Sequence, residues 1–164
     1  MFDTPKVKIF TENGNDDGEE FRGKKTWKAM SGAAANKMQS FVRTVNKDNY
    51  ESFIDEQPDK NKILIFTDRK STAPLYKSLS KMYKEKLVFG EVKKSAQELF
   101  DKFGVKETPA LLALTDPLNY QGEAYENIKE ANIDQLKKFL SNYAYADNKK
   151  EKKLELNHLK LKNS

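Results

Sequence analysis

Few residues in this chain have side chains that could do covalent chemistry. None of the 164 residues is cysteine, which removes thiol nucleophiles, thiolate metal ligands and thiol–disulfide exchange. The single histidine, His158, stands in a lysine-rich tail, so Ser71 has no imidazole partner and a Ser-His-acid triad is not expected. Carboxylates are plentiful, but they fall in surface patterns and no pair is marked out as catalytic. Asn13-Gly-Asn-Asp-Asp17-Gly18 approximates the opening of a calcium-binding loop. It departs from that pattern at both ends, with Asn13 first and Lys24 where a bidentate glutamate is needed. An acidic hairpin turn is the expected reading, with no metal and no cofactor.

A repeat is more informative. Thr4-Pro5 opens TPKVKIFT and Thr108-Pro109 opens TPALLALT; the closing threonines, Thr11 and Thr115, keep the same offset of 104 residues. A Gly-containing polar stretch and a helical pattern follow each copy. A self-match at that spacing indicates two related modules of domain size. The chain reads as the closing part of one module followed by a whole second one.

Composition limits the partners. Apolar residues make up 37% and charged residues 34%, and no apolar run approaches the roughly 18–20 residues that span a bilayer. MFDTPKVKIF lacks the basic segment and long apolar stretch of a signal peptide. The net charge is +5, of which the six lysines and three acids from Ala146 onward contribute three units. Lysines and acids are interleaved through the rest, without the clustered basic face that nucleic acid requires, so no nucleic-acid partner is expected.

The periodicities supply the elements. Residues 6–10 alternate like a half-exposed strand, residues 12–18 form a turn, and Trp27, Met30, Ala34 and Met38 share one helical stripe. Residues 41–45 read as a short strand, and Asn46 is expected to cap a helix carrying Tyr50, Phe53 and Ile54. KILIFT (62–67) has the continuous apolar run of a strand buried on both faces. Ser71 or Thr72 is expected to cap the next helix, with Pro74 in its first turn and Leu75, Leu79 and Met82 buried.

Residues 87–92 form another strand. Ser95 and Glu98 suggest a capping box for a helix that buries Leu99 and Phe103 and stops at Gly104. Strands at 110–114 and near 119–125 and a helix from Ile133 to about Tyr143 complete an order of β-α-β-α-β-α-β-β-α. An α/β sheet with helices on both faces is expected.

This order, together with KILIFTD (62–68), Ala73-Pro74, LVFGEV (87–92) and LFDKFGVKETPALLAL (99–114), resembles the thioredoxin-like fold of the protein disulfide-isomerase family. The resemblance implies a complete thioredoxin-like domain (central mixed sheet flanked by helices) at 41–145. It also implies the C-terminal half of another such domain at 1–40, and the lysine-rich tail at 146–164 is expected to be disordered. Such a half-module leaves an apolar stripe uncovered. Residues 1–40 are therefore expected to be loosely held or to self-associate.

In this family the proline before the fourth strand is usually cis and faces the active-site turn. By resemblance, Glu107, Thr108 and Pro109 form one wall of a peptide-binding groove. Thr67, Asp68, Arg69, Lys70, Ser71 and Thr72 form the other. Where active members carry Cys-x-x-Cys, this chain has Arg69-Lys-Ser-Thr72, and the acid they bury in the preceding strand is replaced by Ile63, Leu64 and Ile65.

The resemblance thus implies a redox-inactive module that binds unfolded or extended polypeptide during protein folding, in the endoplasmic-reticulum lumen. KLKNS at the end of the chain is not a retention signal of the Lys-Asp-Glu-Leu type. Two alternatives stand beside it: a purely structural scaffolding domain, and a piece of an active isomerase whose cysteines lie upstream.

Overall fold

In the computed structural model, which describes residues 5–11 and 17–144, the run KILIFT lies in the middle strand of a five-stranded sheet. The chain divides into two units, Met1–Ser40 and Phe41–Ser164. The first holds strands β1 (Val7–Ile9) and β2 (Glu19–Phe21) and helix α1 (Trp27–Lys37). The second runs β3 (Val42–Thr44), α2 (Tyr50–Asp55), β4 (Asn61–Thr67), α3 (Pro74–Met82), β5 (Leu87–Lys93), α4 (Gln97–Phe103), β6 (Ala110–Asp116), β7 (Gln121–Ala124) and α5 (Ile133–Ala144). The element order of the second unit is the expected one. The lysine-rich tail, residues 12–16 of the acidic turn and the first Thr-Pro pair's Thr4 lie outside the described residues.

The sheet order of the second unit is β3-β5-β4-β6-β7. The first three strands are mutually parallel, and β6 and β7 are antiparallel to their neighbours. Because successive side chains of a strand point to opposite faces, β4 feeds two cores. Leu64 and Phe66 pack with Tyr50 and Phe53 of α2 and with Leu99 and Phe100 of α4. Ile63 and Ile65 pack with Tyr76 and Leu79 of α3 and with Leu136 and Leu140 of α5. Both faces of the sheet are therefore covered, which is why its central strands read as unbroken apolar runs. At Gly90 in β5 the cover sits so close that an added Cβ would lie 2.7 Å from Val45 and 2.8 Å from both Leu64 and Phe53.

Three helix starts differ from the sequence reading. Helix α2 begins after Asn49, and the Asn46 side chain instead accepts from the backbone N–H groups of Asp48 and Asn49 in the turn before it. Ala73 and Ala96 occupy the cap positions of α3 and α4, so Ser71, Thr72 and Ser95 cap neither helix. Pro74 does open α3, and Gly104 ends α4 in the left-handed conformation (φ 67°) that glycine adopts at low cost. The stripe of α3 is rotated: Tyr76 and Leu79 are buried, Leu75 is half-buried and Met82 is exposed. Phe103 is half-buried, and Phe100 takes the fuller core position.

In the first unit β1 and β2 form an antiparallel hairpin. Helix α1 is capped by Thr26, whose hydroxyl accepts from the Ala29 N–H, and none of its residues is buried. The stripe of Trp27, Met30, Ala34 and Met38 thus covers no core, and Met38 stands just past the helix end.

Candidate functional site

The antiparallel register of β4 and β6 sets Phe66 opposite Ala110. The next residue along β4 is Thr67 and the one before β6 is Pro109, so the two predicted walls emerge side by side at one end of the sheet. The Thr108–Pro109 peptide bond is cis. Thr108 and Pro109 are half-buried, and Glu107 is exposed with its carboxylate 3.4 Å from the Lys129 ammonium. Thr67 is buried; its hydroxyl accepts from the Arg69 N–H at 3.1 Å and its carbonyl from the Lys94 N–H at 3.0 Å. Asp68, Arg69, Lys70 and Ser71 are exposed, and Thr72 is half-buried.

Beneath this loop lies a residue that sequence reasoning assigned only to a strand. Glu91 of β5 is 2% exposed and pairs in register with Ile65 of β4. Its carboxylate accepts from the Thr72 hydroxyl at 2.7 Å and from the Lys93 ammonium at 2.9 Å. The same ammonium donates to the Arg69 carbonyl at 2.9 Å. Thr72 and Arg69 are thus tied to one buried acid, and the loop is held from below rather than by a cap on α3. Burying a carboxylate is costly unless its oxygens are bonded, and these contacts offset that cost. Burial pushes the phenol of nearby Tyr76 above its ordinary pKa, with the Glu91 charge adding to the effect and Arg69 opposing it.

One signal in the sequence could have exposed Glu91. In LVFGEV it takes the same face as Leu87 and Phe89, two core side chains, so a charge there needs a partner. The acid absent from β4, whose Ile63, Leu64 and Ile65 are apolar, is thus matched by a buried acid on the adjacent strand.

The loop offers exposed Asp68, Arg69 and Lys70 beside the Thr108–Pro109 turn, with no thiol in the chain. A surface hollow of about 430 Å³ elsewhere on the unit is lined by Asn46, Lys47, Asp48 and the 95–98 segment and includes none of these residues. Among the described residues, no group of His, Asp or Glu is arranged to hold a metal ion, and no helix is long and apolar enough to cross a membrane. The start of the calcium-loop-like segment, Asn13 to Asp16, falls outside the described residues.

A mixed sheet of this order, covered by helices on both faces and with a Thr-Pro turn entering β6, is a thioredoxin-like fold. Residues 44–143, more than half of the chain, match the family model described as DJC16, Thioredoxin-like domain 2. The chain belongs to that family, and it is a thioredoxin-like protein akin to the disulfide isomerases. A Dictyostelium discoideum protein named "Putative protein disulfide-isomerase" is 29% identical over a 126-residue alignment that covers 74% of this chain; the chain spans 30% of that relative's length. A crystal structure of a thioredoxin from Nicotiana alata is 19% identical, with a TM-score of 0.49 over 63% of this chain and 93% of its own.

Proposed function

We propose that the second unit is a non-catalytic thioredoxin-like module that binds unfolded or extended polypeptide. Its contact residues are Thr67, Asp68, Arg69, Lys70, Ser71, Thr72, Glu107, Thr108 and Pro109. The observation that carries the reading is the convergence of the two walls, with Phe66 opposite Ala110 and exposed loop residues on either side. Where a thiol would be needed for exchange the chain has Arg69-Lys-Ser-Thr72, and serine and threonine hydroxyls cannot replace a thiolate there. The compartment that goes with the reading is the endoplasmic-reticulum lumen.

The test is an NMR titration of the full chain with a reduced, alkylated unfolded polypeptide. Shifts clustered on residues 67–72 and 107–109 are expected. No shift at millimolar polypeptide would leave the unit a structural spacer.

A second reading has its own observation. The relative's name says disulfide-isomerase, and this chain spans 30% of it. In a longer protein, cysteines of another module would perform exchange while this unit holds the client. Disulfide-exchange assays on the full-length gene product, with and without residues 41–144, separate the two.

A further inference from the structure

The Arg69 backbone is held at both of its polar groups. Its N–H donates to the Thr67 hydroxyl at 3.1 Å, and its carbonyl accepts from the Lys93 ammonium at 2.9 Å. Lys93 is itself anchored on the buried Glu91 carboxylate, 2.9 Å away. The main chain that carries the Arg69 side chain is therefore tied to β4 and to β5, while the residue is exposed. A fixed base matters for an arginine, because its planar guanidinium grips a carboxylate best through two parallel hydrogen bonds.

Two further cations stand on the same wall. Lys70 follows Arg69 and is exposed. Lys94 is exposed as well, and its N–H donates to the Thr67 carbonyl at 3.0 Å, which puts its backbone beside the start of the loop. Asp68 is the one acid between residues 67 and 72, and the Lys93 charge is matched by Glu91. This wall therefore carries an excess of positive charge. The other wall does not. There Glu107 faces Lys129 at 3.4 Å, and the segment that carries Lys129 also carries exposed Glu126 and Glu130, with Lys106 ahead of the turn.

We infer that the polypeptide bound between these walls is acidic, and that Arg69 selects it by gripping an aspartate or glutamate side chain. The inference rests on the peptide-binding reading of the second unit and names the class of client. Charge complementarity favours acids on the side of the client that meets residues 69, 70 and 94. The acids of the opposite wall repel a uniform polyanion such as nucleic acid. An extended polypeptide meets the difference between the walls, because its successive side chains point to opposite sides.

The probes are end-blocked peptides of equal length that share their apolar residues and carry glutamate, glutamine or lysine at alternate positions. Each is titrated into the isotope-labelled full chain and followed by NMR. The glutamate peptide is expected to bind about fivefold tighter than the glutamine peptide at about 0.01 M salt, with the lysine peptide weakest. The advantage should fade at about 1 M salt, where the screening length falls to about 3 Å. Arg69→Gln should remove most of the preference and Arg69→Lys should keep part of it, since both leave the backbone bonds of residue 69 in place. Equal binding of the three peptides at residues 67–72 and 107–109 overturns the inference and leaves the peptide-binding reading standing. A preference that survives Arg69→Gln does the same. Shifts at neither segment with any peptide overturn the reading and the inference together.

Discussion

The Thr72 hydroxyl lies 2.7 Å from the buried Glu91 carboxylate, and this bond joins the exposed loop after β4 to the middle of the sheet. It makes the loop's shape depend on a residue from another strand. Valine at position 72 keeps the side-chain shape and removes the donor. We predict that Thr72→Val destabilises the chain by about 1–3 kcal/mol, the usual effect of leaving a buried polar group under-satisfied. Amide exchange at Arg69 to Ser71 should quicken at the same time. Urea unfolding followed by exchange NMR checks both, and an unchanged midpoint with unchanged exchange would remove Glu91 as the anchor.

Gly90 gives a second prediction, independent of the loop. Its neighbours are Val45 just past β3, Leu64 of β4 and Phe53 of α2, and each would lie within 3 Å of a new Cβ. Gly90→Ala is therefore an overpacking change, expected to cost about 1–3 kcal/mol. A lowered urea midpoint with an unchanged m-value is the expected result. A midpoint equal to that of the parent chain would show that α2 can move away from the sheet freely.

Tyr50 contributes to the response to alkali, beside Tyr76 and Tyr143, whose phenols are also raised. Its hydroxyl donates to the Pro117 carbonyl at 2.7 Å, and its ring stacks on Tyr120 with centroids 5.0 Å apart. Burial pushes its phenol above the ordinary value of 10.0, with Tyr120 and Asp116 adding to the shift. The sign follows directly. Above the unfolded pKa of about 10 the unfolded chain releases this proton while the folded chain still holds it, so stability falls as pH rises through that region. Tyr50→Phe should lose about 1 kcal/mol at neutral pH, from the missing hydrogen bond. Its stability should then decline less steeply above pH about 10 than the parent's. Equal alkaline slopes in urea titrations would rule out Tyr50 as a source.

These residues also show where sequence reading succeeds and where it stops. The strand containing residues 62–67 was legible because a strand buried on both faces must be apolar throughout. Gly104 was legible because its backbone conformation is a local requirement. The helix caps were less so. Thr72 is a good capping residue, but Glu91, nineteen positions along the chain, takes its hydroxyl instead. Asn46 bonds to two backbone groups ahead of α2, a local turn that competes with the cap. Met82 has the spacing of a core residue, but the core is filled from Tyr76 and Leu79, one step around the helix. Glu91 escaped notice because the hydroxyl that makes its burial tolerable comes from Thr72, in a loop outside its own strand. Loop and turn at the candidate site were read from resemblance, and their adjacency follows from the pairing of Phe66 with Ala110.

Trp27 supplies the last prediction, because it is the chain's one tryptophan and reports on the first unit alone. Its side chain begins α1, a helix with no buried residue, and it is 82% exposed. An indole in water emits at long wavelength and is open to soluble quenchers. Acrylamide is therefore expected to quench the native chain nearly as efficiently as the urea-unfolded one. Unfolding of the second unit, followed by far-ultraviolet circular dichroism, should pass with little change in emission maximum. A blue-shifted native emission that moves red together with the dichroism would mean that Trp27 is packed in the native chain.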